Sequence, residues 1–349
     1  MLSACQTHKC CVPGDPCDSQ SGFQGLRRIR VSNSRRNRHP GEGFAGNPWP
    51  LNSSRFVGWL FCLVLASLPA FSAELLTGFR PSAVRSEHGA VSEIEFSTGL
   101  VELESGVLAH HLAQAMKDFR FAEPVWVIAY RTEVVDATGR RPQENFLCHT
   151  FFGDQRVTQR PDWDMRGIYS DAFTPEVRVP DGFGIPLGPD DRLHWMPMFN
   201  NRSGQPARVE MKVRVTLIRE KDLRHALKPL YASLQSIQVP HLYFVPPGRD
   251  ERQVTFEIPF DGEIHFLGTH IHPYGVSIEL FNVSRGEPVW KGTRKMDSAG
   301  RMVAMEVLSS GKGYAVRSGE KYRVTAVYDN PTPDPIDAMA GLFMLYARR

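Results

Sequence analysis

From residue 74 onward, apolar and polar positions alternate in short runs cut by Gly, Pro, Asp and Asn, and no stretch sustains a 3.6-residue period. The clearest runs are 124–135 (PVWVIAYRTEVV), 145–152, 193–200, 207–218, 253–258, 276–283, 322–328 and 342–347. Strict alternation marks strands with one buried face, so the pattern predicts an all-β chain. Between residues 221 and 234, Leu223, Ala226, Leu227, Leu230, Tyr231 and Leu234 fall at roughly helical spacing, but Pro229 interrupts any continuous helix. Residues 223–237 are therefore expected to connect two tandem jelly-roll β-sandwich domains, 75–222 and 238–349, each of roughly six to eight strands.

Charge separates this body from what precedes it. Residues 1–55 carry eight Lys/Arg and three acids, a net +5; the whole chain is +3, which leaves −2 for the rest. The basic excess thus belongs to the leader, and no nucleic-acid surface is expected on the folded part. Residues 56–73 are uncharged, follow Arg55 and close on small residues, the pattern of a signal peptide over 55–73. The chain is expected to be secreted or periplasmic, meeting a membrane only if that segment stays uncleaved. Residues 1–54 read as an unstructured extension or a start-site artefact. Of six cysteines, four lie in the leader and Cys62 in the signal-like segment, which leaves Cys148 alone in the mature chain, so no internal disulfide is expected. Asn201-Arg-Ser203 and Asn282-Val-Ser284 fit the N-glycosylation pattern, meaningful only in a eukaryotic secretory pathway.

The chemistry concentrates in Asp261–Gly275, a strand-like run ending in His270-Ile-His272. Residues two apart in an extended chain share a face, so the two imidazoles form half of a transition-metal site. Met339, just before the apolar run 342–347, is the candidate third ligand, and His, His and Met would suit copper. The competing reading is of two polar turn histidines. The sequence contains no Ser/His/Asp arrangement, phosphate loop or dinucleotide fingerprint.

Four landmarks occur in a suggestive order: Asn145-Phe-Leu-Cys-His-Thr-Phe-Phe-Gly153; Val179-Pro-Asp-Gly-Phe-Gly-Ile-Pro-Leu-Gly188 with Leu193-His-Trp-Met-Pro-Met-Phe-Asn-Asn201; Tyr243-Phe-Val-Pro-Pro-Gly248; and His270-Ile-His272 with Met339. Together they resemble the copper type II, ascorbate-dependent monooxygenases, the family of peptidylglycine α-hydroxylating monooxygenase and dopamine β-monooxygenase, over most of residues 90–349. The resemblance implies one copper at His270, His272 and Met339 that activates O2 for C–H hydroxylation. It also implies a separate copper in the first domain, the two facing an interdomain cleft, with ascorbate as electron donor.

The chain departs from that pattern in ways that bear on function. The three histidines of the family's first-domain copper align with Cys148, His149 and Met198, a softer set able to bind Cu(I) with altered redox behaviour, or else core residues filling a vacated site. His194 and Met196, on the same strand face as Met198, are candidates to substitute as ligands. The residues that hold a peptide carboxylate in the family align with Gly268, Gly341 and Phe343, which predicts a more apolar cleft and argues against a glycine-extended peptide. His110-His111 is expected at the surface, and His265, five residues before His270, on the opposite face from the pair. The leading expectation is an exported copper monooxygenase acting on a small organic substrate with O2 and an external reductant. The alternatives are a non-catalytic copper carrier or sensor that has lost the first-domain centre, and a structural or carbohydrate-binding jelly roll.

Overall fold

The computed structural model describes residues 73–106, 110–153, 163–238 and 241–349, all within one compact unit. The leader and nearly all of the expected signal peptide lie outside the described residues. The fold is an all-β sandwich, with a single 3-10 turn at Ala113–Ala115 and no α-helix among the described residues. Strands up to Leu223 build two sheets. One runs Glu74–Leu76, Lys117–Phe121, Leu193–Phe199, Leu147–Gly153, Gly167–Asp171; the other centres on Val125–Asp136, Ala207–Leu223 and Gly89–Ser97. Strands from Tyr231 onward build a sheet of Tyr231–Ser236, Ala340–Arg348, Gly262–Ile271 and Leu308–Val316, a second led by Gly248–Ile258 and Glu320–Asn330, and the pair Tyr243–Val245 with Ile336–Ala338.

Alternation explains the first half. Along Ala207–Leu223, Val209, Met211, Val213 and Val215 are buried while Arg208, Lys212 and Arg214 turn outward. Their core includes a knot of rings in which Phe152 stacks on Trp195 at 5.1 Å and Phe96 lies 4.9 Å from Phe119. Rings in such tilted and offset contacts add to plain area burial.

The seam between the halves follows a different rule. Ala340–Arg348 is buried on both faces: Leu342, Met344 and Tyr346 enter the core of the second half, and Phe343, Leu345 and Ala347 join that of the first. A strand covered on both sides has no polar face to show, which is why Leu342-Phe-Met-Leu-Tyr-Ala347 reads as a continuous apolar run. Phe343 lies 5.3 Å from Tyr169 and 6.2 Å from Phe266, closing the seam with aromatic packing.

Two local expectations change. The stretch 223–237 is not merely a connection: Lys228–Pro229 pairs in parallel with Phe183–Leu187, and Tyr231–Ser236 is a full strand paired with residues 341–346. Pro229 is accommodated because a short edge pairing leaves its missing donor unused. His265 does not obey simple alternation either. A bulge between Ile264 and Phe266 adds a residue to the strand, and the His265 ring packs on Phe183 at 4.1 Å while its Nδ1 meets the Ser310 carbonyl at 2.8 Å.

Candidate metal centre

The histidine pair sits where a seam strand ends. His270 is on the last turn of pairing of Gly262–Ile271, opposite Gly341, and the chain then reverses through His272-Pro273-Tyr274-Gly275, with the Gly275 N–H donating to the His272 carbonyl at 3.1 Å. Pro273 supplies the φ that the second turn position wants, and Tyr274 takes φ 69°, a value more usual for Gly or Asn. Gly275 has no freedom to be larger, since a Cβ there would fall 2.3 Å from the Ile271 side chain. The turn holds the two imidazoles nearly perpendicular, ring centroids 5.3 Å apart.

Packing of the two halves brings a third donor to them. The buried Cys148 Sγ lies 3.6 Å from His272 Nε2, and one ligand atom each from Cys148, His270 and His272 falls within 4.8 Å of the others. Met198 and Met339 pack with Cys148 in a small buried cluster. His149 lies beside them, its Nδ1 3.5 Å from Cys148 Sγ and its ring edge-on to His270 at 4.7 Å. The six residues expected to form two separate copper sets are therefore one assembly. The strand Leu147–Gly153 carries Cys148 and His149 up to the His270–His272 pair, so the two expected sets lie side by side rather than across a cleft.

The surrounding groups orient these donors. His272 Nδ1 is 2.8 Å from Asp337 Oδ2, which leaves Nε2 turned toward Cys148. Asp337 in turn receives both arms of Arg202, at 2.9 and 2.6 Å. Burial alone would raise the Asp337 carboxyl, but the His272 and Arg202 bonds outweigh it and hold Asp337 well below the usual range. Burial lowers His272 despite the Asp337 bond, favouring the neutral imidazole that can ligate. On the other side, Asp171 Oδ1 accepts the backbone N–H groups of Phe173 and Thr174, and Oδ2 faces His270 Nδ1 at 3.5 Å.

The arrangement fits a metal on its own evidence. Both His270 ring nitrogens and Asp171 Oδ2 are buried without a hydrogen-bond partner among the described residues, an unusual concentration of orphaned polar atoms. Burial, with Asp171 and Asp337 adding, pushes the Cys148 thiol far up, so a thiolate there requires a cation. A carboxylate behind each imidazole is the outer support that metal-bound histidines usually have. These three supporting residues, Asp171, Asp337 and Arg202, were not singled out in the sequence; only Asp337, two positions before Met339, carried even a positional hint.

Other expected residues lie elsewhere. His194 Nδ1 binds Asp118 at 2.6 Å, and Met196 packs on the first core, so neither joins the centre. His110–His111 forms a two-residue strand opposite Phe199 and Met198. Phe343 is fully buried in the seam. A second grouping of Glu87, His88 and Asp181 is a surface feature with both carboxylates exposed.

A pocket of about 370 Å³ opens beside the centre, reaching Cys148, His270 and His272 at one end and the 294–302 hairpin at the other. It runs past Tyr274 rather than past Gly268, Gly341 and Phe343, and three arginines, Arg202, Arg294 and Arg301, line it. The cleft is thus more cationic than the alignment of those three positions implies.

No protein-family model matches the sequence, and no curated protein matches it. Among solved structures, a peptide-N(4)-(N-acetyl-β-D-glucosaminyl)asparagine amidase is similar over 72% of this chain and 97% of its own, at 9% identity and TM-score 0.37. The major capsid protein P2 of bacteriophage PM2 is similar over 72% of this chain and 98% of its own, at 8% identity and TM-score 0.33. These are likenesses of β-sandwich architecture alone.

Proposed function

We propose that this is a copper protein with a single centre, held by Cys148, His270 and His272 with Met339 and Met198 at its flank, whose role is electron transfer or copper carriage. The observation that carries this reading is the approach of Cys148 to the histidine pair across the seam. A thiolate, two imidazoles and a nearby thioether are the donor set of electron-transfer copper sites, and sulfur ligands favour Cu(I) over harder cations. Copper bound there would supply one-electron redox chemistry. The chain's own part is to hold the donors fixed, with Asp337 and Asp171 behind the imidazoles, and to bury them away from bulk water. Export fits this reading through the signal-like segment 55–73.

The test is reconstitution of the full chain with Cu(I), followed by metal analysis and visible absorption after oxidation. One copper per chain is expected, with a thiolate-to-copper charge-transfer band. Both Cys148→Ser and His270→Ala should lose it, while His194→Ala keeps it. Two coppers, one surviving in each variant, would restore the two-centre picture. No stoichiometric copper would favour a structural jelly roll, and tighter retention of zinc under competition would overturn the choice of metal.

A second reading, hydroxylation of a small organic substrate with O2 and a reductant such as ascorbate, draws support from the pocket reaching His270 and His272. It predicts ascorbate-dependent oxygen consumption by the copper-loaded chain, and the electron-transfer reading predicts none beyond uncoupled background.

A further inference from the structure

The pocket over the centre has a mouth whose chemistry the metal reading does not use. Of its three arginines, Arg202 is committed to Asp337 and Arg301 to Asp297, whose Oδ2 is 2.9 Å from Arg301 Nε. Arg294, half-buried on the Glu287–Met296 strand, has only a long contact from Nη1 to the Gly275 carbonyl at 3.5 Å, and no carboxylate pairs with it among the described residues. Glu144, the one acid lining the pocket among the described residues, is exposed to water. A guanidinium withdrawn from water without a counter-charge is a binding group in waiting.

Beside it the rim is apolar where a surface is normally polar. Met296 is 46% exposed and Tyr274 40% exposed, while Met302 is partly buried on the facing strand. Tyr274 is presented by the same turn that positions His272, in a backbone conformation with φ 69° that a bulky side chain rarely adopts. Strain of this kind gathers where a side chain must be placed for a purpose. The volume, about 370 Å³, suits a small ligand rather than a chain.

We infer that this pocket binds a small organic carboxylate, with Arg294 gripping the carboxylate at the mouth and Tyr274, Met296 and Met302 covering an apolar body directed toward the centre. The inference rests on the reading above only in placing a metal at the pocket floor; the Arg294 grip does not require it. Arginine suits the role because its planar fork matches both carboxylate oxygens, a geometry that lysine cannot reproduce.

The experiment is calorimetric titration of the full chain, metal-free and copper-loaded, with phenylacetate, its uncharged amide phenylacetamide, and inorganic phosphate. One phenylacetate per chain is expected. Arg294→Gln should weaken it roughly ten- to hundredfold, the value of a charge-assisted pair, with an unchanged unfolding midpoint. Arg294→Lys should recover part of the loss. The amide should bind the wild type no better than phenylacetate binds Arg294→Gln. Absence of saturable binding at millimolar phenylacetate, binding indifferent to Arg294→Gln, equal binding of the amide, or tighter binding of phosphate would each overturn the inference. Phenylacetate binding that survives in Cys148→Ser would sustain it even if copper binding failed, and intact copper binding in Arg294→Gln would sustain the metal reading if this one failed.

Discussion

Asp337 is the residue through which the candidate centre is most open to a quantitative challenge. Its buried carboxylate accepts three bonds: 2.8 Å from His272 Nδ1, and 2.9 and 2.6 Å from Arg202. Asp337→Asn keeps the shape and one acceptor oxygen; with that oxygen in the Oδ2 place it still accepts from His272 and one arm of Arg202, its NH2 group is turned on the other arm, and the two remaining bonds lose the carboxylate charge. Charge-assisted bonds contribute about 1.5–3 kcal/mol each, and leaving a donor unpaired in a buried site adds to the loss. Arg202 keeps 34% of its side chain in water, which screens its share, so the loss in the metal-free chain is about 2–4 kcal/mol. Denaturant unfolding of the metal-free protein measures that loss directly. The same change removes the charge behind the His272 imidazole, and Cu(I) affinity, read by competition with a chromophoric chelator, should fall roughly ten- to hundredfold. Arg202→Met separates the effects, since it leaves the Asp337–His272 bond in place and should weaken stability more than copper binding. A stability loss under about 0.5 kcal/mol with unchanged copper affinity would refute the argument. His272 would then owe its orientation to the turn alone.

Other outcomes follow from single features. Tyr274→Gly should leave stability level or raise it by up to about 1 kcal/mol, because relief of the φ 69° conformation is offset in part by extra freedom in the unfolded chain; a loss beyond that in urea unfolding would contradict the strain. Gly275→Ala should destabilise by about 1–3 kcal/mol through its clash with Ile271 and weaken copper binding with it. Asp118 is held below the usual carboxylate range: burial would raise it, but His194 and Arg192 prevail. Its contribution is then complete above the unfolded value of about 3.9 and disappears as pH falls through the lower folded value, so the stability gap between wild type and Asp118→Asn should close only in strong acid. Neither sequon should carry a glycan on the folded protein, because Asn201 and Asn282 are fully buried and Asn201 Nδ2 donates to Leu103, Glu104 and Gln205 carbonyls. Mass analysis from a glycosylating host would test this, and a sugar at either position would show that the site is modified before the strand closes.

What the sequence discloses divides along physical lines. Local alternation is written residue by residue, so the runs 124–135 and 193–200 anticipate strands Val125–Asp136 and Leu193–Phe199 within a residue or so. Period two also places His270 and His272 together. Tyr231–Ser236 escapes notice because its two faces are nearly equally buried and its Leu234 falls at helical spacing with Leu227 and Leu230 ahead of it. His265 escapes because a bulge leaves no mark on composition. The meeting of Cys148 with His272 is a matter of how one sheet edge docks on another, and no local pattern encodes that. Alignment to a two-copper pattern names six residues that the fold brings together yet divides them into two groups, since order along a chain carries no information about distance between sheets.

That meeting has a mechanical consequence. Cys148 and His272 stand 124 positions apart and belong to opposite sides of the seam, and the aromatic packing of Tyr169, Phe343 and Phe266 lies next to them, Tyr169 6.3 Å from the His270 ring. An ion shared between them would act as a removable cross-link across that joint, set beside its aromatic packing. An ion present at a thousandfold over its dissociation constant would stabilise the closed joint by about 4.1 kcal/mol. Stripping it would remove that cross-link and leave the joint to its side-chain packing alone, so occupancy would be legible as protection of the Leu147–Gly153 amides from hydrogen exchange. The chain would then report its metal status through its own breathing.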